Sequence, residues 1–219
     1  MSKIFLVLFS IFLMNSSVYA GEIIGLIQIK LKAPDPQAPI SPFAHNRGGA
    51  EPRVVPAESR QSVIYLSASP LLPEGVPPLE PPVMDQRNLT LIPHILPILV
   101  GSTVLFPNSD ALYHNLFSLS PARKFDLGRY PKGASKSTTF MIPGEVHIFC
   151  DIHPSMSAVI LVLPNKFFSM ADSNGEFRLV DVPAGTWTIN AWHEQLSEVS
   201  QTVNVPQSGS VSVILNLQD

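Results

Sequence analysis

Glu145-Val146-His147-Ile148-Phe149-Cys150-Asp151-Ile152-His153-Pro154-Ser155-Met156 is the stretch that decides the fold. Val146, Ile148 and Cys150 recur with a period of two, which places them on one face of a strand. Cys150 then ends that strand on its apolar side, where a core-facing ligand belongs. It is the only cysteine of the chain, and His153 and Met156 follow it at +3 and +6. Upstream, Tyr113-His114-Asn115 supplies another histidine in an apolar, strand-like run. Two imidazoles, one thiolate and a weak thioether are the donors that suit both oxidation states of copper.

Short runs bounded by turn signals surround this stretch. Residues 89–92, 95–100, 102–107, 114–118, 137–142 and 158–163 read as strands. Val100-Gly101-Ser102, Pro107-Asn108-Ser109-Asp110, Pro131-Lys132-Gly133 and Pro143-Gly144 separate them. Strands at this spacing predict a sandwich or barrel. Beyond Pro164, residues 176–180, 186–191, 198–205 and 211–217 predict a further all-β stretch. Two more strands are expected near the N-terminus, at 22–32 and 62–68, on either side of an irregular segment rich in Pro, Gly and Ala. They complete either the central module or the tail, and the pattern does not choose. The expected organisation is a signal peptide at 1–20, an N-terminal β segment at 21–68 with a Pro-rich insert at 33–60, and a Pro-rich linker at 69–83. A central β-sandwich at 84–164 and a smaller one at 165–219 follow.

Composition narrows the setting. Lys3 precedes an apolar run over 4–14, and Val18-Tyr19-Ala20 offers a cleavage site after Ala20. Export to the periplasm or an equivalent space is the expectation. The apolar run is too short to span a bilayer, and 91–100 is interrupted by Pro93, His94 and Pro97, so no membrane span is expected after cleavage. Fourteen basic against seventeen acidic residues give a net charge of −3, which speaks against nucleic-acid binding. A lone cysteine in an exported chain forms no internal disulfide, and burial or metal ligation would protect it.

These residues carry a family resemblance. The compact Cys150-x-x-His153-x-x-Met156 loop and the run Phe106-Pro107-Asn108-Ser109-Asp110 leading to His114-Asn115 resemble the cupredoxins, the small blue-copper proteins, and the loop is closer to amicyanin than to plastocyanin. The order of a β segment, Met84-Asp85-Gln86 and a copper-type domain is similar to exported proteins of the methylamine-utilization-protein-like type. Asn174-Gly175-Glu176-Phe177, Val182-Pro183-Ala184-Gly185 and Ala191-Trp192-His193 resemble a carboxypeptidase-regulatory-like tail. The resemblance implies an all-β fold, a cupredoxin Greek-key β-sandwich plus a second small β-sandwich. It implies one type 1 copper per chain, held by His114, Cys150 and His153 with Met156 as the axial ligand. Asn115 is expected to bond to the backbone of the Cys loop. His147 falls on the opposite strand face from Cys150 and is set aside as a ligand. His94 is expected to be structural, in an edge strand, and His193 is expected as an exposed strand-end residue.

Three function classes follow. The first is a carrier of single electrons between periplasmic redox partners, such as a cytochrome or a dehydrogenase. The second is a copper enzyme. It is disfavoured because Phe149 and Asp151 flank Cys150, leaving no histidines there for a second metal, and no His-x-His occurs elsewhere. The third is an exported copper-binding or structural β-sandwich protein without a dedicated electron-transfer role. Neither the partner nor the oligomeric state is legible.

Overall fold

The computed structural model describes residues 20–30, 61–73 and 75–218. Most of the expected signal segment and the Pro-rich insert lie outside these residues. The described residues form sixteen strands: β1 (Ala20–Lys30) and β2 (Val63–Leu66); β3 (Asp85–Arg87), β4 (Thr90–Ile92), β5 (Ile95–Leu99), β6 (Thr103–Pro107), β7 (Leu116–Ser118), β8 (Phe125–Asp126), β9 (Ser135–Thr139), β10 (Gly144–Cys150) and β11 (Ser157–Leu163); then β12 (Phe168–Met170), β13 (Glu176–Pro183), β14 (Gly185–His193), β15 (Leu196–Val205) and β16 (Ser210–Gln218). Among them no helix is long and apolar enough to cross a membrane.

The central sandwich faces a five-stranded sheet, ordered β5-β11-β10-β7-β8, against the pairs β3-β4 and β6-β9. Val146, Ile148 and Cys150 of β10 point inward as the alternation requires, and Glu145, His147 and Phe149 point away. The enclosed core includes Met84, Leu91, Phe106, Leu116, Phe140, Ile160 and Met156.

Strand β11 departs from alternation because both of its faces are covered, the circumstance that gives a strand a continuous apolar run. Ala158, Ile160 and Val162 enter the central core. Val159, Leu161 and Leu163 turn the other way and pack with Ile95 against Val63 and Trp192. This second apolar layer joins the central sandwich to the tail sandwich. Full burial of each such side chain contributes about 1.5–3 kcal/mol before entropy is counted. At its rim the Trp192 indole donates to Glu145 at 2.8 Å. His94 bridges Ser157 O at 3.0 Å and Glu194 at 2.8 Å from a position just before the edge strand β5.

The question the sequence left open is settled by pairing. β1 runs between β13 and β16, antiparallel to the first and parallel to the second. β2 lies between β12 and β14. Both N-terminal strands therefore belong to the tail sandwich, whose core includes Ile23, Ile27, Ile64, Leu66, Phe177, Leu179, Trp187, Ile189 and Leu215. Gly25 is required within β1, because a Cβ there would stand 2.5 Å from the Phe177 ring.

His193 corrects an expectation. It closes β14 but is only 4 % exposed. Its Nδ1 accepts from the Gln195 N–H at 3.1 Å, while Nε2 has no partner. Burial holds its pKa below the ordinary histidine range, and the nearby Glu194 charge offsets this only in part.

Candidate metal centre

The site is built where two chain segments meet. Cys150 pairs with Leu116 across β10 and β7, so His114, two residues before Leu116, arrives beside the end of β10. Three backbone hydrogen bonds then fold the loop after Cys150. Cys150 N–H donates to Met156 O at 3.1 Å, Met156 N–H to His153 O at 3.0 Å, and Asp151 N–H to Asn115 O at 3.0 Å. A seven-residue loop tied at both ends and at its middle leaves His153 little choice of position.

Three donor atoms converge there. His114 Nδ1 and His153 Nδ1 are 3.0 Å apart, and Cys150 Sγ lies 3.8 Å from the first and 3.9 Å from the second. The point equidistant from these corners is about 2.1 Å from each, against bond lengths of about 2.0–2.1 Å for a first-row metal to imidazole and about 2.3 Å to thiolate. The residues present therefore fit a trigonal metal ion with soft and borderline donors. The imidazole planes cross at 69°, so neither ring stacks over the other and both nitrogens can face one point. His114, Cys150 and Met156 are buried, and His153 is half-buried. Met156 shares the central core with Cys150.

The tautomer of His114 is fixed from behind. Its Nε2 lies 3.0 Å from Asp110 Oδ2. A carboxylate only accepts, so Nε2 carries the proton and Nδ1 keeps a free lone pair for a metal. Asp110 also accepts the backbone N–H groups of Asn88 and Leu89, at 2.5 and 3.0 Å. Burial alone would raise its pKa. The hydrogen bonds from Leu89, Asn88 and the His114 ring outweigh burial and hold it below the ordinary aspartate range. Asn88 and Leu89 turn the β3-β4 hairpin with φ of 55° and 57°. Leucine occupies this left-handed region at a cost of about 1–3 kcal/mol, so the turn needs the carboxylate as much as His114 does.

The loop that carries Asp110 is itself pinned. Asn108 donates to Leu112 O at 2.8 Å and to Tyr130 O at 3.1 Å, and accepts from Asp110 N–H at 2.9 Å. The Tyr130 hydroxyl donates to Phe106 O at 3.1 Å and accepts from Gln86 at 2.6 Å. Burial pushes that hydroxyl well above its ordinary pKa. Gln86, fully buried, also reaches Pro107 O at 2.9 Å. Gln86, Asn108, Asp110 and Tyr130 were not singled out as site residues from the sequence. The available signal was the position of Asp110, four residues before His114.

Asn115 is linked to the Cys loop through its main-chain carbonyl, and its side-chain Oδ1 is buried without a partner. The His147 side chain is turned outward beside Glu145, away from the donors. The site's outer edge opens into a shallow pocket of about 500 Å³ lined by Leu112, Tyr113, Arg129, Ile152 and His153.

No family model matches the sequence, and no curated protein matches it. Solved structures similar to the chain include variants of amicyanin. A methionine-to-alanine variant in the Cu(I) form is 25% identical, with 37% of this chain and 81% of that chain covered and a TM-score of 0.35. A reduced tryptophan-to-tyrosine variant is 26% identical with the same coverage and TM-score. A reduced proline-to-phenylalanine variant is 24% identical, with 42% of this chain and 95% of that chain covered and a TM-score of 0.36.

Proposed function

We propose that the chain is an exported type 1 copper protein that carries single electrons between redox partners in the periplasm or an equivalent space, and that it is not itself an enzyme. The observation that carries this reading is the donor triangle of His114 Nδ1, Cys150 Sγ and His153 Nδ1; Met156, buried in the same core as Cys150, is proposed as the fourth, weaker ligand. Copper bound by such a set supplies one-electron chemistry. The chain's own residues do the rest. Asp110 keeps the proton of His114 on Nε2 and the ring in place. The tied loop holds Cys150 and His153 in one geometry, so little rearranges when the charge of the site changes. The apolar core around Cys150 and Met156 excludes water. His153 is the half-buried ligand, and its ring borders the surface pocket, which makes it the exit toward a partner.

Titration of the mature protein with Cu(II), read by visible absorption, tests this. The expected result is an intense thiolate charge-transfer band that saturates at one copper per chain. A reductant should bleach it and an oxidant restore it. Cys150→Ser should abolish the band with the fold intact. Copper bound without the band, or a band unchanged in Cys150→Ser, would overturn the assignment in favour of a copper-binding protein with no electron-transfer role.

A further inference from the structure

Besides His153 itself, the pocket is lined by Leu112, Tyr113, Ile152 and one cation, Arg129. Leu112 and Tyr113 are 49% and 59% exposed there, and Ile152 completes the apolar wall. Arg129 is exposed at the same pocket, and among the described residues no carboxylate pairs with it. Asp110, in the loop that carries Leu112 and Tyr113, is already engaged by His114 and the β3-β4 turn. The whole chain carries a net charge of −3. Its long-range field therefore repels an anionic partner, and attraction must come from a local cation.

We propose that this pocket seats a side-chain carboxylate of the redox partner and that Arg129 selects for it, an inference that rests on the electron-carrier reading above. The guanidinium receives the carboxylate in a paired hydrogen bond, the geometry for which arginine is suited. The His153 edge turned away from Cys150 supplies a second donor, since Nδ1 faces the interior. Leu112, Tyr113 and Ile152 receive the aliphatic stem and exclude water from the pair. The partner is thus a redox protein that offers a carboxylate at its docking face, and its electron enters or leaves at His153.

The test uses the copper-loaded full chain with two small reagents of opposite charge, hexacyanoferrate and hexaammineruthenium. Arg129→Gln should slow exchange with the anion by about tenfold at low ionic strength, and much less at high salt. Exchange with the cation should hold or quicken. Arg129→Lys should recover part of the anion rate. Lys166→Gln, the same charge change beyond the far end of β11, should leave both rates as they were. On the metal-free protein, the redox-inert paramagnet hexacyanochromate(III) should broaden the NMR signals of Leu112, Tyr113 and Ile152, and Arg129→Gln should remove that broadening. Equal effects of Arg129→Gln and Lys166→Gln, or broadening elsewhere than the pocket, would overturn the carboxylate seat. Failure of the wild type to exchange electrons with either reagent would instead overturn the electron-carrier reading itself.

Discussion

The two sandwiches are built from the chain in opposite ways. The central core draws on one continuous length, from Met84 to Val162. The tail core collects β1, β2 and the strands after Phe167, which are far apart in sequence. Their buried polar groups differ as well. In the central module Gln86, Asn108, Asp110 and Tyr130 bond to one another or to backbone and all support one loop. Buried atoms without a partner occur in both modules, Gln86 Oε1, Ser102 Oγ and Asn115 Oδ1 in the centre and Ser62 Oγ, Ser169 Oγ and His193 Nε2 in the tail. Polar groups are expensive to bury and are kept where they position something. The central network supports the donor loop, whereas the tail's polar groups tie its own strands together, Asn165 donating to Leu66 O at 3.0 Å and Asn190 to Ser67 Oγ at 2.9 Å.

Both tryptophans of the chain, Trp187 and Trp192, lie in the tail strand β14. Tryptophan emission therefore reports the tail and, through Trp192, the layer that joins it to the centre, whereas a copper band would report the centre. The largest expected effect is from deleting β1. The tail should lose its fold, seen as red-shifted emission and protease cleavage after Lys166, while the 84–163 strands keep their protection. Simultaneous loss of both modules would mean that the apolar layer between them makes them one cooperative unit.

Neighbouring residues of β11 offer a finer cut. Ile160→Ala and Leu161→Ala should each cost about 2–5 kcal/mol in denaturant unfolding. Only Leu161→Ala, which faces the layer containing Trp192, should shift native emission. Identical spectra for the two variants would contradict the two-faced burial of β11. Asp110→Ala should weaken metal affinity by about 10–100-fold and stability by about 1–3 kcal/mol, since it frees both His114 and the strained Asn88-Leu89 turn. Competition with a chelator measures the first and urea melts the second.

The smallest effect is acidic. The pKa of His193 is depressed in the folded chain, so between that value and the ordinary histidine value the unfolded state binds more protons. Tail stability should fall as pH drops through that window and stay reduced below it. His193→Leu should flatten this part of the profile, read by tryptophan emission against temperature. A profile that keeps its slope would place the acid sensitivity elsewhere.

What could be read from the sequence follows the same division. The converging residues Cys150 and His153 are close in the chain, and the period of two in β10 sets which way Cys150 faces. The all-β class follows from the same alternation. The home of β1 and β2 was not legible, because pairing across more than a hundred residues depends on which faces bury each other, not on local pattern. Burial of His193 was not legible either, since local pattern does not show which strand ends become covered. Asp110 read as a turn residue because its partners Asn88 and Leu89 lie 22 and 21 residues earlier.

The parallel pairing of β1 with β16 has a consequence for the order in which the molecule is made. Glu22 takes its place opposite Ser210, and Lys30 opposite Gln218. As the chain emerges, the central strands can pack as soon as they appear, since each finds its partners close by in sequence. β1 must wait for β13 and then β16, with Ile23, Ile24, Leu26, Ile27 and Ile29 carried along as an unpartnered sticky ribbon until the first of them arrives. Such an exposed apolar strand invites aggregation and the attention of chaperones. Of the described strands, the earliest in the chain is thus among the last to be housed, and biogenesis rather than equilibrium stability is where this architecture is most vulnerable.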